Sequence, residues 1–127
     1  MANLSFSNFP KHQPSLRAFL LSAKDAALGS SYELSVAFVS PREMRGLNAT
    51  YRGVDAPTDI LSVTLSDESG EILFCVSEVA RRAPQFQHTP QMYLRLLVIH
   101  GLLHLKGYAH GRRMEAQERK FRKKFKI

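Results

Sequence analysis

The segment from Thr89 to Lys106 constrains the fold of this 127-residue chain more than any other part of the sequence. Thr89-Pro90 predicts a helix start, because threonine caps a helix and proline fits its first turn, and Gly107 is a typical stop. Apolar residues are dense between these signals: Met92, Tyr93, Leu96, Leu97, Ile99, Leu103 and Leu105. A helix with this pattern is expected to be largely buried.

The remaining periodicity predicts strands and helices that alternate along the chain. Strands are predicted at Leu4–Phe6, Tyr32–Val39, Asp59–Leu65 and Ile72–Val76, the last two forming a hairpin around a turn at 66–70. Further helices are predicted at Pro14–Leu28, at 40–51 behind a capping box of Ser40 and Glu43, from a Ser77 cap to Arg82, and at Arg112–Phe125. This order predicts an α+β fold with helices packed on a small mixed sheet of about four strands.

Composition predicts one soluble domain over residues 1–127, with 44% hydrophobic and 23% charged residues. The single cysteine, Cys75, has no disulfide partner within the chain. Pro10, Lys11, His12 and Pro14 interrupt the place where a signal peptide needs an apolar run, and no stretch reaches the ~18 apolar residues of a membrane span. We therefore expect a cytoplasmic protein with no membrane partner.

The net charge of +7 is concentrated at the C-terminal end. Residues 1–110 hold ten Lys/Arg against nine Asp/Glu, whereas the last seventeen residues hold eight Lys/Arg against Glu115 and Glu118. A basic helix at about 112–127 favours a polyanionic partner. The alternative interpretation is a solvated helix face with no partner.

The segment HGLLHLKGYAH, residues 100–110, predicts a metal site on the apolar helix. His100 and His104 are four residues apart and share a helix face, and a chain reversal at Gly107 lets His110 return to that face. Three imidazoles around an open fourth position are typical of catalytic zinc, so one Zn²⁺ per chain is expected. The alternative is two buried histidines and an unrelated surface His110, which leaves polar ring nitrogens in need of partners.

The same spacing matches the H-E-x-x-H-x-x-G-x-x-H pattern of zinc peptidases except at Gly101. In those enzymes a glutamate at this position takes the proton from the attacking water. Its absence makes a metallopeptidase-like zinc hydrolase the weaker hypothesis.

Residues 100–110 also resemble the H-G-x-L-H-L-x-G-Y-D-H signature of the YbeY-type endoribonucleases of ribosomal RNA maturation. A second block, Leu47-Asn48, Tyr51-Arg52-Gly53, Asp55 and Pro57 to Ser62, resembles the family's LN..YRG.D.PTDVLSF stretch. Gly70 to Ile72 with Glu78 to Ala80, and Glu115-Ala116, continue the likeness, which covers roughly residues 40–116. Ala109 departs from it where the family has aspartate, and Val63-Thr64 replaces its usual Phe-Pro.

The resemblance implies a zinc-dependent, single-strand-specific endoribonuclease that processes the 3′ end of 16S rRNA and acts in ribosome quality control. It implies that His100, His104 and His110 bind zinc and that Arg52 is catalytic, with Asp59 and Ser62 as supporting residues. Its partners would be single-stranded RNA and ribosomal particles. Independently of the resemblance, Tyr51 and Tyr108 are candidate base-stacking residues, with packing as the equal alternative. A non-enzymatic ribosome-assembly factor with a structural zinc remains the other open alternative.

Overall fold

The computed structural model describes residues 3–11, 13 and 15–127, and within them it contains four strands and five α-helices. The strands are β1 (Leu4–Ser7), β2 (Glu33–Phe38), β3 (Ile60–Ser66) and β4 (Ser69–Phe74). The helices are α1 (Leu16–Leu28), α2 (Pro41–Arg52), α3 (Val76–Arg82), α4 (Pro90–Lys106) and α5 (Arg112–Phe125). The sheet order is β1-β2-β4-β3, with β3 antiparallel to β4 and the other pairs parallel. The predicted α+β fold with a mixed four-stranded sheet is confirmed.

Two sequence-based predictions around Cys75 were wrong. The fourth strand covers Ser69–Phe74 rather than Ile72–Val76, and α3 begins at Val76 with Cys75 at its N-cap, so Ser77 is not the cap. Cys75 belongs to both elements: its N–H donates to the Asp59 carbonyl at 3.0 Å, in register with the β3–β4 pairing, and its carbonyl accepts the first helical bond from the Val79 N–H at 3.0 Å.

Two further differences concern the ends of helices. A 3₁₀ segment at Ala83–Phe86, which contains Pro84, was not predicted. The predicted start of the first helix at Pro14 lies outside the described residues, and α1 is observed from Leu16.

The capping box that begins α2 is present. The Ser40 hydroxyl accepts from the Glu43 N–H at 3.1 Å, and the Glu43 carboxylate accepts from the Ser40 N–H at 3.3 Å. At the other end of α2, the Asn48 amide donates to the Ala56 carbonyl at 2.8 Å and fixes the loop that leads to β3. This end of the helix presents Arg52.

Helix α4 is the central helix, as its apolar sequence predicts. Its buried residues pack with α1 and one face of the sheet; this main core includes Leu16, Leu20, Leu34, Val36, Ile72, Phe74, Leu97, Val98 and Leu102. Ile99 and Leu103 of α4 pack instead against Met114 of α5. Helix α2 covers the opposite face of the sheet, where Met44 meets Leu61, Leu73 and Cys75. The C-terminal part of α4 is thus held between the sheet and α5, and this part carries the half-buried His100 and His104.

Candidate metal centre

The three predicted histidines lie together. One ring nitrogen from each of His100, His104 and His110 falls within 4.8 Å of the other two. His100 and His104 occupy the last turns of α4, and Gly107 ends the helix with a φ of 110°, a left-handed conformation that glycine adopts without strain. The chain then returns, and the His110 ring centroid lies 4.7 Å from that of His104 and 5.1 Å from that of His100.

The hydrogen bonds of His100 and His104 orient one nitrogen of each ring toward the other. His104 Nδ1 lies 3.1 Å from the Tyr108 carbonyl oxygen, and because a carbonyl only accepts, this nitrogen carries the proton. His100 Nδ1 lies 3.1 Å from the Glu118 carboxylate, which by the same reasoning assigns its proton to Nδ1. The two Nε2 atoms are the nitrogens left to bind a ligand, and they face each other at 3.0 Å, within hydrogen-bond distance.

This arrangement is suited to a cation. Two ring nitrogens this close need a positive charge between them, supplied either by a shared proton or by a metal ion. Histidines that bind metal commonly donate the other ring N–H to a carboxylate or a backbone carbonyl, which are the two partners found here. The residues present therefore match the donor set of a metal held by three histidines.

Burial lowers the pKa of His104 below its ordinary value of 6.5, and the positive charges of His100 and His110 lower it further. The Tyr108 carbonyl and the Glu118 carboxylate oppose this shift in the pKa, more weakly. His104 is therefore neutral at pH 7, which is the protonation state that binds a metal.

The histidines line one end of a cleft of about 1050 Å³. Arg52, Asp59 and Ser62 line the same cleft, so every site residue that the sequence predicted is brought to one place. Tyr51 also lines it and is exposed, whereas Tyr108 packs against the apolar cluster between α4 and α5. Arg52 is exposed at the end of α2, so its guanidinium is available to a ligand in the cleft.

Asp59 is bound into a buried network rather than projecting freely into the cleft. Its residue exposure is 6%, and it accepts from the Tyr93 hydroxyl at 2.6 Å and from the Thr58 hydroxyl at 3.3 Å. Arg82 lies 3.6 Å from the same carboxylate. The proximity of Asp59 raises the pKa of Tyr93, although burial of the phenol is the larger cause of that shift.

Ser62 and Gly101 mark the closest approach of β3 to α4. The Ser62 hydroxyl donates to the Gly101 carbonyl at 3.4 Å, and a Cβ atom at position 101 would lie 2.8 Å from Ile60 Cδ1 and 3.0 Å from Ser62 Oγ. There is consequently no room for the glutamate that zinc peptidases carry after their first histidine. The glycine is required by packing, and the packing disfavours peptidase chemistry.

The family model for endoribonuclease YbeY matches residues 8–126. The chain belongs to the endoribonuclease YbeY family. Endoribonuclease YbeY of Alkaliphilus metalliredigens is 38% identical over 98 residues, which cover 68% of this chain and 63% of the relative. The Shouchella clausii protein of the same name is 34% identical over 113 residues, which cover 76% of this chain and 71% of the relative.

A solved structure shares this fold. The solution structure of a Thermotoga maritima protein superposes with a TM-score of 0.68 at 30% identity, covering 93% of this chain and 85% of that one. The fold and the histidine cluster are therefore set in an architecture that a distant relative shares.

Sequence reasoning missed Glu118 and the Tyr108 carbonyl as partners of the histidines. A signal for Glu118 was present: it follows Met114 by four residues and precedes Phe121 by three, so it lies on the inward stripe of α5 rather than among the exposed cations. No sequence signal identifies a backbone carbonyl such as that of Tyr108.

Proposed function

We propose that this chain is a zinc-dependent, single-strand-specific endoribonuclease that matures the 3′ end of 16S rRNA and acts in ribosome quality control. In this proposal the protein works in the cytoplasm on ribosomal particles and carries one Zn²⁺ per chain. The observation that carries it is the orientation of His100 and His104: their outer nitrogens donate to fixed acceptors and their inner nitrogens converge near His110. Membership of the endoribonuclease YbeY family supports RNA as the substrate.

The three imidazoles would hold the zinc ion through neutral nitrogens, leaving the cleft side open to substrate. Bound zinc supplies a Lewis acid that lowers the pKa of water from 15.7 to about 7. His110 is exposed while His100 and His104 are half-buried, so the third ligand borders the solvent side of the cluster. The chain's own contribution is to fix the two helical rings through Tyr108 and Glu118.

Arg52 is proposed to bind the phosphate that is attacked. Negative charge gathers on the non-bridging oxygens of a phosphodiester during attack, and a guanidinium donates to two oxygens at once. Arg52 lies at the end of α2 and lines the same cleft as the histidines of α4, so we propose that a phosphate bound in the cleft contacts both groups. Asp59 and Ser62 are proposed to act by support only: Asp59 orients Tyr93 and Arg82, and Ser62 joins β3 to the metal-bearing helix.

The basic residues of α5 are proposed to supply sequence-independent affinity for RNA. Met114 of this helix is buried, whereas its basic residues are all exposed. These are Arg112, Arg113, Arg119, Lys120, Arg122, Lys123 and Lys124. Contacts of lysine and arginine with phosphates release counterions, so RNA binding should weaken steeply as salt is added.

A cleavage assay tests the proposal. Zinc-loaded protein is given an end-labelled single-stranded RNA, the same sequence as a duplex, and the corresponding single-stranded DNA. We expect cleavage of the single-stranded RNA only, abolished by a chelator and restored by added zinc. His104→Ala should lose both zinc and cleavage.

Arg52→Ala separates the arginine from the metal. It should keep its zinc but cleave about 100-fold more slowly or worse, as when one donor to a developing oxyanion is removed. Arg42→Ala is the matched control, because Arg42 is an exposed arginine at the other end of α2 and does not line the cleft. Tight RNA binding without cleavage by zinc-loaded protein would overturn the proposal in favour of an assembly factor with a structural zinc.

A further inference from the structure

An exposed aromatic ring stands in the cleft, away from the histidines. Phe86 ends the 3₁₀ segment Ala83–Phe86 and keeps 58% of its surface exposed. Its ring stacks on that of Tyr93, with centroids 5.4 Å apart and planes only 9° from parallel. Both residues line the same cleft as the histidines, so one ring face of Phe86 is covered by Tyr93 and the exposed remainder borders the cleft.

Contacts of Tyr93 and of the backbone next to Phe86 hold the ring pair in place. The Tyr93 hydroxyl donates to the buried Asp59 carboxylate at 2.6 Å, which fixes the ring of Tyr93. Gln87, directly after Phe86, has a φ of 62°, an uncommon conformation for a residue other than glycine, and its N–H donates to the Pro84 carbonyl at 3.1 Å. Both features fix the backbone that carries Phe86, so this ring is placed before any ligand binds.

The spacing along α4 relates this ring pair to the metal centre. Tyr93 precedes His100 by seven residues, which is two helical turns and about 10 Å along the axis. Residues this far apart lie on nearly the same helix face, and Leu96 and Leu97 line the cleft between them. The cleft therefore continues from the aromatic pair at one end of α4 to the histidines at the other.

We propose that the exposed face of Phe86 is a stacking platform for one base of the single-stranded RNA, a nucleotide or two away from the phosphate held at the histidines. The proposal rests on the function proposed above. A flat, supported ring at the end of a cleft that also offers Arg52 matches the pairing of stacking with backbone charge in proteins that bind single strands. Because every base has an aromatic face, the platform selects unpaired bases over duplex without reading sequence.

The absence of tryptophan from the chain gives a direct test. Phe86→Trp places the only indole of the protein on the platform, and stacking of a base quenches indole emission. Zinc-loaded protein is mixed in a stopped-flow instrument with a short oligoadenylate, or with a ribose-phosphate oligomer of the same length that lacks bases. We expect quenching by the oligoadenylate alone. Leu65→Trp is the matched control, since Leu65 is 63% exposed on the hairpin and does not line the cleft, and its emission should not change.

Affinity provides the second measurement. Phe86→Ala should bind the oligoadenylate about ten-fold more weakly than wild type, as loss of one stacked base predicts, and should bind the base-free oligomer and zinc unchanged. Phe86→Leu, which keeps an apolar side chain without a ring, should lose nearly as much.

Two outcomes would overturn the platform, and they are distinguishable. Unchanged oligoadenylate affinity in Phe86→Ala, with wild type binding and cutting RNA, removes the platform and leaves the proposed function intact. Failure of the wild-type protein to bind RNA at all removes both.

Discussion

Glu118 is predicted to set the metal affinity of the site, although it is not a ligand in the proposed centre. Its carboxylate lies 3.1 Å from His100 Nδ1, where it accepts the proton of that nitrogen and orients the ring with Nε2 toward the metal position. Glu118→Ala removes the acceptor and its charge, whereas Glu118→Gln retains an acceptor oxygen and loses only the charge.

The magnitude follows from the exposure of the pair. Hydrogen bonds to charged groups contribute about 1.5–3 kcal/mol, and the Glu118 and His100 side chains are 30% and 25% exposed, which favours the lower end through solvent screening. About 1.5 kcal/mol corresponds to a roughly ten-fold loss of zinc affinity, at the low end of the 10–100-fold typical of such partners. Glu118→Gln should lose less.

The assay is competition for zinc against a chromophoric chelator of known affinity. Glu115→Ala is the matched control, because it makes the same change of charge on the same helix from an exposed position with no contact to the histidines among the described residues. Zinc affinity in Glu118→Ala within two-fold of both wild type and Glu115→Ala would refute the assignment of a positioning role to this carboxylate.

Three other expectations concern packing, ionisation and charge. Gly101→Glu should lower the free energy of unfolding by about 3 kcal/mol or more in urea denaturation, because a charged side chain is forced between α4 and β3. The control Gly46→Glu should be tolerated, since nothing lies within 4 Å of a Cβ atom at that position. Equal losses of stability in the two variants would contradict the packing argument. Burial and Asp59 raise the pKa of Tyr93, so its share of the stability is fully present below pH 10.0, the ordinary phenol value, and is lost as the pH rises above it. The stability of Tyr93→Phe should therefore fall less than that of wild type in alkaline denaturation, and parallel pH curves would count against this. Replacing Lys123 and Lys124 together by glutamine should reduce the slope of log affinity for single-stranded RNA against log salt by about 1.4, and an unchanged slope would remove these lysines from the interface.

The elements that the sequence predicted best are those whose signals are local. Thr89, Pro90 and Gly107 mark the ends of α4, and the apolar density between them implied its burial. The capping box at Ser40 and Glu43 predicted the start of α2 for the same reason, since its partners are three residues apart. Such contacts depend on no distant part of the chain.

The errors arose where a distant contact decides the local structure. The Cys75 N–H donates to the Asp59 carbonyl, sixteen residues earlier in the chain, and this contact with β3 places the N-cap of α3 at Cys75, so the serine cap expected at Ser77 has no role. The 3₁₀ segment that carries Phe86 was not predicted from the sequence. Strand order, and with it the position of β3 beside α4, depends on pairings that no local pattern contains.

The histidine cluster was predictable because its spacing encodes its geometry, whereas its supporting contacts were not. Two residues four apart on a helix share a face in any fold, and a glycine stop allows the third to return. The close approach that requires Gly101 depends on where Ile60 and Ser62 lie, so the sequence suggested only that a peptidase glutamate was missing. The structure supplies the reason that it is missing.

X-ray absorption by zinc-loaded protein tests the central claim most directly. Three imidazole nitrogens at about 2.0–2.1 Å and one oxygen from water are expected, with one nitrogen lost in each of His100→Ala, His104→Ala and His110→Ala. A spectrum that shows a sulfur ligand, fewer than three imidazoles, or a fourth protein ligand in the position expected for water would contradict a catalytic centre built from these three side chains.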